Sequence, residues 1–123
     1  MELTPLDVEL SVCKIRDPST VDWHGAFTAL THTGEEFSLV CDSGSAPADA
    51  IAVEPGWRAF RIAGTLDFGM LGVIAGISGT LAAAGISVFV LSTYDTDYVL
   101  TKAVDFPRAL ATLQKAGYVM GTV

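Results

Sequence analysis

Residues 68–94 carry no charged side chain, a run long enough on paper to cross a bilayer. Three features point instead to a soluble helix, turn and strand. The run contains Gly69, Gly72, Gly76, Gly79 and Gly85, and Asp67 and Asp95 flank it where Lys or Arg would anchor a membrane helix. Its character also changes midway. Residues 70–84 read as helix, with Met70, Ile74, Ile77 and Leu81 on one apolar stripe and Gly72, Gly76, Gly79 and Ala83 on another. Residues 86–91 (ISVFVL) are β-branched and aromatic, which favours a strand, and Gly85 between the two fits a helix C′ position.

The remaining composition bounds the function. The chain has 123 residues, half of them hydrophobic, so it can bury a core without staples. Its formal net charge is -7, which disfavours nucleic acid as a partner. Residues 1–56 hold ten acids and two bases, and residues 57–123 hold four acids and five bases. The first half therefore suits water and the second a buried contact. A mean hydropathy of +0.47 implies either a membrane or apolar surface buried against another subunit, and the rejection of the span favours the second. Cys13 and Cys41 have neither metal nor redox spacing and read as buried, reduced thiols. The opening MELTPLDVEL lacks an apolar run, so no secretory signal and a cytoplasmic setting are expected.

Along the chain, residues 7–15 read as a strand and Asp17-Pro18-Ser19 as a turn that opens one short helical turn. Residues 26–33 and 36–41 form a hairpin around Gly34, residues 42–49 a loop with a single helical turn, and 50–54 a short strand. Glu54-Pro55-Gly56 marks a turn and a unit boundary. Residues 57–63 alternate as a strand, and the helix from about Met70 to Ala84 leads to strands at 86–93 and 98–103. Residues 106–116 are helical, with Pro107 at N1 and Gly117 as C-terminal cap, and 118–123 are a last strand. The second half is thus β-α-β-β-α-β. ALTHTGEEFSLV (29–40) aligns without gaps onto VLSTYDTDYVLT (90–101), an offset of 61. The fold class is α+β: two tandem ferredoxin-like βαββαβ units, 1–55 and 56–123, with antiparallel sheets and helices on one face, the first with shortened helices.

FTALTHTGEEFSLVCD (27–42), GWRAFRIAG (56–64), LAAAGISVFVLSTYDTDYVL (81–100) and the helix after Asp105 resemble the ACT domain, a small ligand-binding regulatory module. The resemblance is to tandem-ACT proteins related to the CASTOR arginine sensors and the aspartate kinase regulatory region. It implies amino-acid binding between paired units. Backbone groups of the loop after the first strand, of the following helix start, and of the second strand of a neighbouring unit would meet the ligand. The matching positions are Leu66, Asp67, Phe68, Gly69, Met70, Leu71 and Gly72, then Ser87 and Val88, with Asp97 in the turn. The first unit has no such glycine-containing loop and long helix.

An amino acid is a zwitterion, so its carboxylate needs N–H donors and its ammonium needs oxygen acceptors. Gly69 and Gly72 would leave backbone uncovered at a helix start, where free N–H groups and the positive dipole end lie. The rival reading makes the glycines a close-packing stripe for a neighbouring helix, favoured for Gly76 and Gly79. Asp67 reads as an N-cap or as a contact for the ammonium. Asp97 reads as a solvated turn residue or as an anionic partner for a cationic group. The strand at 86–91 is apolar on both faces, which argues for a homodimer through the second units. His24 and His32 match no metal motif, Trp23 and Trp57 read as core anchors, and no catalytic triad or phosphate loop is recognisable. The expectation is a non-enzymatic amino-acid sensor without cofactor or metal, independent of nucleic acid and membrane. A ligand-free assembly module and an unidentified enzyme are the alternatives.

Overall fold

The structure, a computed structural model, describes residues 1–62 and 72–121. It divides into two compact units, Val8–Trp57 and Met1–Asp7 with Arg58–Val123. Among the described residues they contain eight strands and two α-helices. These are β1 (Glu2–Pro5), β2 (Leu10–Ile15), β3 (Thr28–His32), β4 (Phe37–Asp42), β5 (Ala52–Ile62), α1 (Val73–Ala83), β6 (Phe89–Ser92), β7 (Asp97–Lys102), α2 (Phe106–Lys115) and β8 (Val119–Met120).

In the Val8–Trp57 unit the strand order is β3-β4-β2-β5, antiparallel throughout. This is the ferredoxin-like arrangement, a hairpin beside the first strand with the fourth strand on its other side. Its helices are reduced to 3-10 turns at Pro18–Thr20 and Ser43–Ser45. Residues 16–27 have no helical apolar period, and the Asp17 carboxylate accepts from the Ser19 N–H at 2.9 Å, so the chain turns once and stops. Cys13, Ile15, Val21, Leu39 and Cys41 form the core, with Ala46 and Ala50 packed where a second helix would lie.

Pro55-Gly56 does not end a strand, as the sequence suggests. β5 runs through both residues. On β2, Leu10 pairs with Trp57 and Val12 with Glu54, so one residue opposes two, and Gly56 takes φ +80°. The dipeptide makes a β-bulge, which needs the same left-handed glycine as a turn.

In the other unit β6 pairs antiparallel with β7, β7 with β5, and β5 antiparallel with β1. The seat beside the first strand belongs to β1, while β8 lies outside it, parallel to β1. Strand β1 escapes a sequence reading because it is four residues long and ends in proline. Residues 1–7, expected with the N-terminal unit, pack with the C-terminal one because Leu3 is wholly buried among Phe60, Ile62, Ile77, Leu81 and Leu113. From Gly72 onward the charge-free stretch resolves into α1, a turn at Gly85 and β6, and among the described residues no helix is long and apolar enough to cross a membrane. α2 is amphipathic, with Phe106, Ala109 and Leu113 buried and Pro107 in its first turn.

The internal repeat is present, but one residue from its best sequence match. β4 starts at Phe37 and β7 at Asp97, an offset of 60, and both strands bury their third to fifth residues. The following 3-10 turns, Ser43–Ser45 and Ala103–Asp105, keep that offset. The match at 61 places Phe37 on Tyr98 and would turn every side chain to the opposite sheet face.

Candidate functional site

α1 begins on Gly72, its N-cap, at φ +80° and ψ 0°. Gly76 N–H donates to the Gly72 carbonyl at 2.8 Å, and no side chain among the described residues caps the first turn. The first turn holds no acidic residue, so the N–H groups and positive dipole end meet no carboxylate from the helix itself. Leu66, Asp67, Phe68, Gly69, Met70 and Leu71 lie outside the described residues.

Asp97 opens β7, paired with Ser92. Val99, two residues on, packs in the cluster with Ile77 and Leu81 of α1. Alternation places the Asp97 carboxylate on the same helix-bearing face. Among the described residues it has no ion-pair partner. The preceding turn is fastened to the end of β5, since the Thr96 hydroxyl donates to the Ile62 carbonyl at 2.8 Å. This buried hydroxyl is a feature the sequence reading missed. Within a Thr-Tyr-Asp-Thr-Asp run it looks like ordinary turn chemistry, and only the tertiary structure gives it a distant acceptor.

Ser87 and Val88 lie elsewhere. Ile86 N–H donates to the Leu81 carbonyl at the close of α1, so both residues sit between the helix C-terminus and the start of β6. An 11-residue helix is about 16 Å long. One small ligand at the start of α1 cannot also touch Ser87 and Val88 of the same unit. The structure thus brings Asp97 to the end of the sheet where β5 finishes, and separates Ser87 and Val88 from Gly72.

The glycines of α1 differ in their surroundings. A Cβ on Gly76 would come 3.2 Å from the Tyr118 hydroxyl, whereas one on Gly79 would meet nothing within 4 Å. Ala75, Gly79, Ala82 and Ala83 are exposed, giving α1 an uncharged outer face.

Other candidate residues have local roles. Trp23 is not a core anchor: it is 62% exposed, because the short 16–27 connection has no helix to carry it inward, and Val21 fills the core there. Trp57 is half-buried. His24 lies beside Asp22 at 3.5 Å, and His32 stacks on Phe37 with ring centroids 4.3 Å apart. Arg58 donates from Nη2 to the Leu6 carbonyl at 2.8 Å, with its guanidinium 4.7 Å above the Phe106 ring. Cys13 and Cys41 are buried free thiols. Burial pushes both up, Cys41 to about 12, so neither is a thiolate nucleophile at neutral pH. The Asp42 carboxylate accepts from the Ser45 hydroxyl at 2.7 Å and the Phe27 N–H at 3.2 Å. Those bonds hold its pKa below the usual carboxylate range.

Comparison with known proteins places these features in a family. The sequence profile of the ACT domain matches residues 52–115, from the start of β5 to the end of α2. No curated protein sequence matches the chain. The crystal structure of Atu0741 from Agobacterium tumefaciens is similar, with a TM-score of 0.87 and 28% identity over 99% of this chain and 92% of that one. The ligand-free regulatory subunit of aspartate kinase from Thermus thermophilus shares the fold at a TM-score of 0.67 and 12% identity, covering 94% and 96%. Aspartate kinase from Clostridium acetobutylicum gives 0.67 and 14%, covering 88% of this chain and 33% of its own. Matched over more than half its length and built from ferredoxin-like units, the chain belongs to the ACT domain family of regulatory, small-molecule-binding domains.

Proposed function

We propose that this protein is a non-catalytic amino-acid sensor that works as a homodimer in the cytoplasm. The observation that carries the reading is the pairing of opposite electrostatic features in one unit. The start of α1 at Gly72, capped by no side chain among the described residues, offers N–H donors for a carboxylate. Asp97 offers a carboxylate, without an ion-pair partner among the described residues, for an ammonium on the helix-bearing face. The separation of Gly72 from Ser87 and Val88 supports the dimer, because those two residues can complete a site only from a second unit. The uncharged outer face of α1 and the exposed Val90 on edge strand β6 are suited to such a contact. Ligand binding would act by favouring one dimer geometry over another.

Thermal denaturation against each free amino acid tests the reading. A ligand at 100 times its Kd adds about 2.7 kcal/mol, a rise of several degrees in Tm. Asp97→Asn should cancel that rise while leaving the ligand-free midpoint close to wild type. A chain that responds to no amino acid is not a sensor of this kind. The second reading, a ligand-free assembly module, draws on Gly72 and Gly76. A positive φ at one and the Tyr118 contact at the other give both glycines structural reasons. Dimerisation without any amino-acid response would select it.

A further inference from the structure

The bend at a hairpin end occurs twice in this chain, at 33–36 and at 93–96; both copies open on threonine, and they differ at the fourth residue among others. In the Val8–Trp57 unit, Thr33 N–H donates to the Glu36 carbonyl at 2.9 Å, and its hydroxyl accepts from the N–H groups of Glu35 and Glu36 at 3.1 and 3.2 Å. At the offset of 60, Thr93 N–H donates to the Thr96 carbonyl at 2.8 Å, and its hydroxyl accepts from Thr96 N–H at 3.3 Å. Each turn is closed by its own first threonine. The fourth residue is not needed for closure, since the first copy manages with Glu36, which is exposed. Thr96 is 6% exposed, and its hydroxyl reaches across to the carbonyl of Ile62, the last residue of β5.

We propose that Thr96 is a positioning residue of the ligand site. It ties the hairpin end to the end of β5 and so fixes where the next residue, Asp97, holds its carboxylate. The inference rests on the reading of Asp97 as the ammonium acceptor. Two observations favour it over general stabilisation. The tie is dispensable for the turn, as the Glu36 copy shows. It also occurs in the unit that retains a full helix after its first strand, and Glu36 makes no such bond in the unit that lacks one. A buried donor aimed at a strand-end carbonyl holds two elements in one register, as orienting residues around a binding group must.

The test uses the full chain with Thr96→Val, Thr96→Ala and Thr96→Ser. Valine keeps the shape, alanine removes the hydroxyl without placing a methyl against the Ile62 carbonyl, and serine restores the donor. The twenty standard amino acids are the probes, screened by thermal shift, with Kd of responders measured by calorimetry. Expected is a Kd raised about tenfold in the Val and Ala variants and near wild type in the Ser variant. A Kd unchanged in the Val and Ala variants, even with a lowered ligand-free Tm, overturns the positioning role. In parallel, the side-chain carboxyl carbon signal of Asp97 is followed by NMR without ligand. It should move in the Val and Ala variants and return in the Ser variant, and an unmoved signal also overturns the proposal. A wild-type chain that answers no amino acid overturns the ligand reading, and the NMR comparison then decides the placement of Asp97 by itself.

Discussion

Substituting alanine at the three described glycines at the start and along α1 should give three different outcomes. Gly79 lies inside the 11-residue helix with open space around its absent Cβ. Alanine there gains helix propensity of about 1 kcal/mol and displaces nothing. For a chain of this size the gain corresponds to roughly 3–5 °C in Tm. Gly76 would gain the same propensity, but its Cβ would press on the Tyr118 hydroxyl at 3.2 Å. That hydroxyl is the far end of a side chain that can shift, so the net gain should fall below that at Gly79. Gly72 sits at φ +80°, where an L-residue costs about 1–2 kcal/mol, and should lower Tm by several degrees. The assay is thermal and urea denaturation at a concentration where sedimentation shows monomer. The expected order is Gly79→Ala above wild type, Gly76→Ala between, and Gly72→Ala below. A Gly79→Ala chain no more stable than wild type as a monomer would refute the reasoning, since the structure offers nothing there for a methyl to strike. The same variant also probes the outer face of α1. If a second copy packs against Gly79, the monomer gains stability while the dimer weakens.

Asp42 and the two thiols give the remaining tests. The Asp42 carboxylate is stabilised as an anion by Ser45 and Phe27, so its pKa in the folded state lies below the unfolded value. Its contribution is present above the unfolded pKa of about 3.9 and is lost as pH falls through the lower folded value. Asp42→Asn should therefore cost about 0.5–1 kcal/mol at pH 7, allowing for solvent screening, and progressively less as pH falls through the carboxylate range. A pH-independent gap between wild type and variant would contradict the assigned cause. Cys13 and Cys41, buried and shifted upward, should resist a thiol reagent at pH 8 in the folded chain and react together once denaturant is added. Fast labelling of either thiol in the native protein would show that the core of that unit opens readily.

Much of the architecture can be read directly from side chains. Pro107 and Gly117 bracket α2, and Gly85 separates α1 from the β-branched run of β6, because these residues have few conformational alternatives. Other features depend on partners distant in sequence. Residues 2–5 have no strand-like alternation long enough to notice, and only the buried seat for Leu3 between Phe60 and Leu113 makes them a strand. Pro55-Gly56 carries a turn signature, but pairing with β2 on one side holds the chain extended and leaves a bulge. The repeat was visible by residue type, yet matching Phe37 to Tyr98 rewarded aromatic likeness over register. Burial aligns Leu39 with Val99, and that pairing governs which side chains face the core. At the proposed site, Asp97 and Gly72 stand out in the sequence by chemistry, whereas Thr96 required knowledge of where the Ile62 carbonyl points.

The seat taken by β1 has a practical consequence for dissecting this protein. The segment matching the ACT profile starts at residue 52, so a fragment cut to that boundary would omit Glu2–Pro5. Such a fragment would lose Leu3 from its core, leave the backbone of Phe60 and Ile62 without a neighbour on one side, and deprive β8 of the strand it rests on. It would expose a sticky sheet margin prone to recruiting foreign strands, so self-association of an excised fragment would report the cut rather than the native assembly.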